Sequence, residues 1–259
     1  MDIPNTKKMV INTSDTTWKA SEKFKPDKED LWKYSADNDG WVKAHNMIRN
    51  EVDSLIDALS SVSEKYDSST PVWAITSIKQ FWSHHEHLVH DHHGNEDNIM
   101  NPFMKRRVNL PEKLESDHDI VIERMRNVSN CVNALKEGDS LHQLSTAMSM
   151  YKEALFPHLL EEEKVALPLL RSFFTPKEVK PVIMKILKKS TKEESGSFIY
   201  SMGEDNFRSK FMKQESIPFF VWHLKFKSDH AYFLKNVQCH IDALKQGQPI
   251  TNKKSTMLC

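Results

Sequence analysis

Cysteine is scarce: Cys131, Cys239 and Cys259 are the only three in 259 residues. None belongs to a Cys-x-x-Cys pair, which argues against a zinc ribbon and against a disulfide framework. Lone thiols fit a reducing compartment, so a cytoplasmic location is expected. Glycine is also scarce, with six residues, which favours helices over a turn-rich β protein. Neither sign of charge is in excess: 36 Lys and Arg face 36 Asp and Glu. No global field draws the chain to nucleic acid or to an anionic membrane, and neither is an expected partner. No run approaches the roughly 18 apolar residues of a membrane span. The opening MDIPNTKKMV lacks the apolar stretch of a secretory signal, and Cys259 does not sit in a prenylation box.

What remains supports a core. Hydrophobic residues make up 39% of the chain. Residues 1–38 read as a polar arm whose aromatics, Trp18, Phe24, Trp32 and Tyr34, are expected to pack on the main domain. Four apolar stripes of helical period follow. The first spans Trp41 to Ser60. The second starts at Pro71 and ends before Pro102. The third spans Pro111 to Lys136. The fourth spans Ser140 to Phe173, with Pro157 and Pro168 interrupting it and Pro157 expected to kink or loosen it. Short loops make neighbours antiparallel, which gives an all-α, up-and-down four-helix bundle over residues 39–175. A helical extension is expected over 176–246, with a soft linker KKSTKEESGS at 188–197. A disordered tail is expected over 247–259.

Histidine breaks the pattern of scarcity. There are 13, six of them between His84 and His93. Two segments within the stripes match each other. His92-x-x-x-Glu96-Asp97 is followed by four residues and then Pro102. His158-x-x-x-Glu162-Glu163 is followed by four residues and then Pro168. Positions four apart share a helix face, so each segment offers an imidazole and a carboxylate to one point. A lone histidine on the preceding helix, His45 or His118, completes each half. One hairpin repeated twice thus brings His45, His92, Glu96, His118, His158 and Glu162 together. Imidazoles with carboxylates suit borderline metal ions, and zinc or manganese fits the donor types as iron does.

A single such pair is usually a surface contact worth a few tenths of a kcal/mol. Two in matched register, with their glutamates in apolar stripes, are costly unless they bind a cation. His87/Asp91 and His93/Asp97 have the same spacing, and the shared proline offset favours His92/Glu96. His93 stays as an additional candidate ligand. His85, seven residues before His92, is a candidate support. His84, His87 and His90 read as solvent-facing or as a loose metal-binding fringe. Met100, Met104, Met148 and Met150 read as core filler. Ser228-Asp229-His230, an echo of Ser116-Asp117-His118, reads as structural. Cys131 and Cys239 read as buried thiols.

The order of these ligands resembles the hemerythrin and HHE cation-binding family, over about Trp41 to Phe174. The resemblance implies a bundle with a non-haem di-iron centre. Four histidines would ligate terminally, and Glu96, Glu162 and an oxo or hydroxo group would bridge. Oxygen-carrying hemerythrins of marine worms have a second histidine where Ile122 stands, and His-x-x-x-x-Asp in the last helix. The chain is therefore more similar to the broader HHE group, which includes iron-sensing domains of ubiquitin ligases and bacterial proteins that repair iron centres. The expected function is iron binding, with dioxygen or a related small ligand, in sensing, buffering or storage. Two alternatives are a di-iron enzyme acting on peroxide or nitric oxide, and a metal-stapled module whose C-terminal extension docks a protein. No separate acid, base or nucleophile stands out, so no catalytic residue is assigned.

Overall fold

The computed structural model describes residues 32–67 and 69–250. All regular structure among them is helical, with no β-strand. No helix among them is long and apolar enough to cross a membrane.

Helix α1 (Gly40–Lys65) starts where the Asp39 carboxylate accepts the Trp41 N–H at 3.1 Å. It outlasts the expected end at Ser60 because Val62 extends the buried stripe of Ile48, Val52, Leu55 and Leu59. Helix α2 spans Val72–Asn95, but the helical path does not stop before Pro102, as the proline suggested. It passes through a wide π turn at Glu96–Met100 into α3 (Asn101–Met104), and the Asn101 N–H reaches back to the Glu96 carbonyl. The wider turn relieves the ring clash and missing donor that Pro102 would bring to a regular α turn. Helices α4 (Glu112–Ala134) and α5 (His142–Lys164) follow. Helix α5 runs on through Pro157. The interruption falls instead at Val165, three residues before Pro168, and α6 (Ala166–Phe173) begins after it.

Helix α1 packs on α2 and α5, and α4 packs on the same two. Two apolar clusters fill the space between them. Met47, Val89, Val121 and Leu159 belong to the larger one. Met100, Leu114 and Ala166 belong to the smaller, and Val42 packs against it. Along each helix the motif residues fall between the two: His45 between Val42 and Met47, His92 and Glu96 between Val89 and Met100, His118 between Leu114 and Val121, Glu162 between Leu159 and Ala166. A polar layer therefore lies between two dry ones. The chain crosses it four times in alternating direction, as an antiparallel bundle requires.

The smaller cluster also takes in α7 (Pro176–Leu187) through Val179. Trp32 packs there too, its Nε1–H donating to the carbonyls of Arg171 at 3.0 Å and Phe174 at 3.2 Å. Trp18 and Phe24 lie outside the described residues. Of the four methionines read as core, Met100, Met104 and Met148 are buried, whereas Met150 faces outward and is exposed. Cys131 and Cys239 are half-buried rather than buried.

Residues 188–197 are not a linker. Thr191 and Glu194 form a reciprocal capping box that starts α8 (Lys192–Met202). Past α9 (Glu204–Asn206) and α10 (Met212–Gln214) come α11 (Lys227–Phe233) and α12 (Cys239–Gln246). Helix α12 packs on α1 and α2, and α8 packs on α1 and α11. Phe233, Val237, Ile241 and Leu244 join the larger cluster, so these helices share the bundle's own core. Buried Asp229 pairs with Lys225, a structural role for that echo motif. The expected tail starts late: Gly247 caps α12 in the left-handed conformation, and its carbonyl accepts the Tyr66 hydroxyl at 2.9 Å. Residues 251–259 lie outside the described residues.

Helices α8 and α11 meet backbone to backbone at Gly196. A Cβ there would lie 2.4 Å from Phe233 Cβ and 2.5 Å from the Asp229 carbonyl oxygen. Gly196→Ala should therefore destabilise the protein by about 1–3 kcal/mol in chemical denaturation. An unchanged midpoint would refute that close approach.

Candidate metal centre

Seven side chains converge in the polar layer. Six are those expected from the motifs: His45, His92, Glu96, His118, His158 and Glu162. The seventh is His93, whose ring stacks on His118 with centroids 4.3 Å apart and 17° between planes. Donor atoms of His45, His92, Glu96 and Glu162 lie within 4.8 Å of one another, and those of His93, His118 and His158 do likewise. All are buried except His92, the most open of the set, whose side chain is 12% exposed.

The two glutamates connect the groups. Glu96 Oε1 lies 3.2 Å from His92 Nε2 and 3.8 Å from His45 Nε2, whereas its Oε2 lies 3.6 Å from His118 Nε2. Glu162 Oε2 lies 3.4 Å from His45 Nε2, whereas its Oε1 lies 3.6 Å from His118 Nε2 and 3.5 Å from His158 Nε2. Each carboxylate turns one oxygen to each group of histidines. The Trp41 Nε1–H donates to Glu96 Oε1 at 2.9 Å and fixes its plane.

The second acidic residue of each motif has a purpose that the motif spacing did not reveal. Glu163 Oε1 accepts from His45 Nδ1 at 2.9 Å and from Arg49 Nη1 at 2.7 Å. Asp97 Oδ1 accepts from His118 Nδ1 at 3.1 Å. Each hairpin thus braces the lone histidine of the other. With the proton on Nδ1, Nε2 of both rings is left free to face the carboxylates.

Almost nothing else satisfies the donors. Among the described residues, every buried side-chain nitrogen or oxygen without a hydrogen-bond partner, except Glu194 Oε1, belongs to these seven side chains. Native interiors rarely leave such atoms unpaired. Electrostatics tell the same story. Burial and the facing Glu96 carboxylate push the Glu162 carboxyl up to about 7. Burial and the neighbouring imidazoles His118 and His45 press His158 down to about 3, and hold His92 and His93 well below the usual histidine range. Burial works against a charge on His45 and His118, yet their acidic neighbours raise both to about 9. Metal ions in the layer would satisfy the orphaned atoms and separate the facing carboxylates, so the residues present fit a cation site.

A family model for the hemerythrin HHE cation binding domain matches residues 37–170. The chain belongs to the hemerythrin HHE cation-binding family. No curated protein and no solved structure matches it. The span matched to the HHE domain contains all seven side chains and both bracing carboxylates. It stops before α7.

Two histidines flanking the HHE donors do other work. His85 is not in the metal cluster. Its Nδ1 lies 2.8 Å from Glu51 Oε2, and its Nε2 lies 3.2 Å from the buried Tyr151 hydroxyl. His84 is half-buried rather than solvent-facing, with Nε2 3.0 Å from Glu51 Oε1, and Ser197 of α8 donates to the same oxygen. His87 and His90 are exposed, as expected. Glu51 was legible only as a charge within the α1 stripe, three residues after Ile48.

Two predictions follow from these contacts. Glu163→Ala and Asp97→Ala should each weaken metal binding about 10–100-fold while leaving the helical content unchanged. Competition with a coloured chelator measures this, and full affinity in both variants would contradict the bracing role. Glu51→Gln should cost about 3–5 kcal/mol, because it breaks a buried ion pair. Burial opposes ionisation of Glu51, but His84 and His85 hold its carboxyl below the usual 4.5; Glu51 in turn raises His84 above 6.5 against burial. The glutamate's contribution is present above pH 4.5 and fades as pH falls through its depressed value. The histidine's is complete below pH 6.5 and fades as pH rises through its raised value. The variant's deficit in denaturant unfolding should thus be largest between pH 4.5 and 6.5 and shrink in alkali. A deficit independent of pH would contradict the pairing.

Proposed function

We propose that this HHE domain holds two iron ions and serves as a non-haem di-iron protein for sensing, buffering or storing iron or dioxygen. The carrying observation is the division of each glutamate between two histidine groups. His45 and His92 would hold one ion, and His93, His118 and His158 the other, with Glu96 and Glu162 bridging. Imidazole and carboxylate donors suit borderline cations, and two facing carboxylates offset part of the charge of two divalent ions. His93 would supply the imidazole that Ile122 does not, at the position where oxygen carriers of the wider family have their second third-helix histidine. Bound iron would supply a redox couple and open positions for dioxygen or a related small ligand.

The protein's own groups favour binding over turnover. Trp41, Asp97, Glu163 and Arg49 are engaged in fixing donors, and among the described residues no further acid or base hydrogen-bonds to the cluster. The group of His45 and His92 has two imidazoles against three. It is therefore the more open side, and partly exposed His92 marks the approach from solvent. A reducing, cytoplasmic setting suits the unpaired thiols of Cys131 and Cys239.

Tag-free protein from iron-rich medium should contain two irons per chain by elemental analysis, and His93→Leu should lower that to about one. Wild-type protein with a single metal, or a His93→Leu variant that retains both, would overturn the assignment.

A further inference from the structure

The histidine-rich face of α2 has a second cluster, on the outside of the bundle. His87 and Asp91 lie one turn apart on α2, with Nε2 and Oδ2 3.5 Å apart. Glu194, from the first turn of α8, completes the group, and donor atoms of all three lie within 4.8 Å of one another. An open cavity of about 200 Å³ adjoins them, lined by Asp91, Gly94, Asn95, Asn98, Lys189 and Glu194 among others. None of these residues ligates or braces the buried centre.

Glu194 carries the second observation. It is only 9% exposed. Its Oε2 is consumed by the capping box, where it accepts the Thr191 N–H at 2.7 Å. Its Oε1 is, among the described residues, the one buried orphan atom outside the HHE centre. Among the described residues, no lysine or arginine pairs with Glu194 or Asp91. Burial raises the Glu194 carboxyl above its ordinary value, and the adjacent Asp91 carboxylate raises it further. Two facing carboxylates beside an imidazole, one oxygen buried without a donor, form a set that a divalent cation would satisfy.

We propose that His87, Asp91 and Glu194 form a separate site for a divalent transition-metal ion such as zinc, clasping α8 to α2. One imidazole and two carboxylates are within the donor preferences of zinc. An exposed site with three protein ligands has open positions for water, so micromolar rather than structural affinity is expected. Ligands from both helices make the ion a fastener between the HHE bundle and the extension that follows it. Metal bound here adds its binding free energy to the docking of α8.

Calorimetric titration of the full chain, with its buried centre already filled, tests this with zinc as the probe. Wild-type protein should take up one zinc more than His87→Gln, whose side chain is exposed and leaves the fold undisturbed. Glu194→Gln should show the same loss, or at least a tenfold weaker affinity. His90→Gln, on the same helix, should behave as wild type. Zinc should also slow tryptic cleavage at Lys188, Lys189 and Lys192 in wild type and not in His87→Gln. Identical zinc isotherms for wild type and His87→Gln would overturn the proposal. So would an equal loss in His90→Gln, which would mark diffuse binding to a histidine-rich surface. Because both arms compare proteins with the same buried centre, the result does not depend on which metal that centre holds.

Discussion

Two buried carboxylates that face each other across a ring of histidines are the constraint on which the rest of this structure depends. Without a cation, that layer sets like charges together and leaves most of its donors unpaired in the dry interior of a bundle. The surrounding architecture answers this layer. Apolar clusters close it on both sides, Trp41 pins one carboxylate, and each hairpin lends an acid to the other's lone histidine. Those crossed braces tie the two hairpins together.

The fold class was legible because stripe and motif agreed. The helical period buried the same faces that carried the histidines, and the two prolines at a common offset set the register. What the sequence hid was local. Pro102 reads as a helix end, but a π turn absorbs it, and that turn begins at Glu96 itself. Thr191 and Glu194 sat inside a stretch whose lysines, serines and glycine read as a linker, although the pair is a capping box and the glycine is a contact point. Gly196 is the clearest case, because its need for the close approach of α11 exists only once it has met Asp229 and Phe233, 33 and 37 positions further on.

The donor set was readable to the same depth. Repeated spacing picked out six of the seven converging side chains. His93 could be placed only as an extra candidate, because its neighbour occupies the repeat position and one helix step separates them. Its stacking on His118 is a tertiary fact. Likewise Asp97 and Glu163 were visible as a spacing repeated in the two halves of one chain, yet their partners lie on the opposite hairpin. Glu51, His84 and His85 form a second buried polar knot that ties α1, α2, α5 and α8 together. Through it the extension after the HHE domain is held by hydrogen bonds as well as by the apolar faces of α8 and α12.

The most direct measurement is anomalous diffraction from crystals of the metal-loaded protein. The account predicts two peaks about 3.5–4 Å apart, with Glu96 and Glu162 spanning both, His45 and His92 on one, and His93, His118 and His158 on the other. A single peak in the polar layer, or two peaks with either glutamate bound to only one of them, would contradict it.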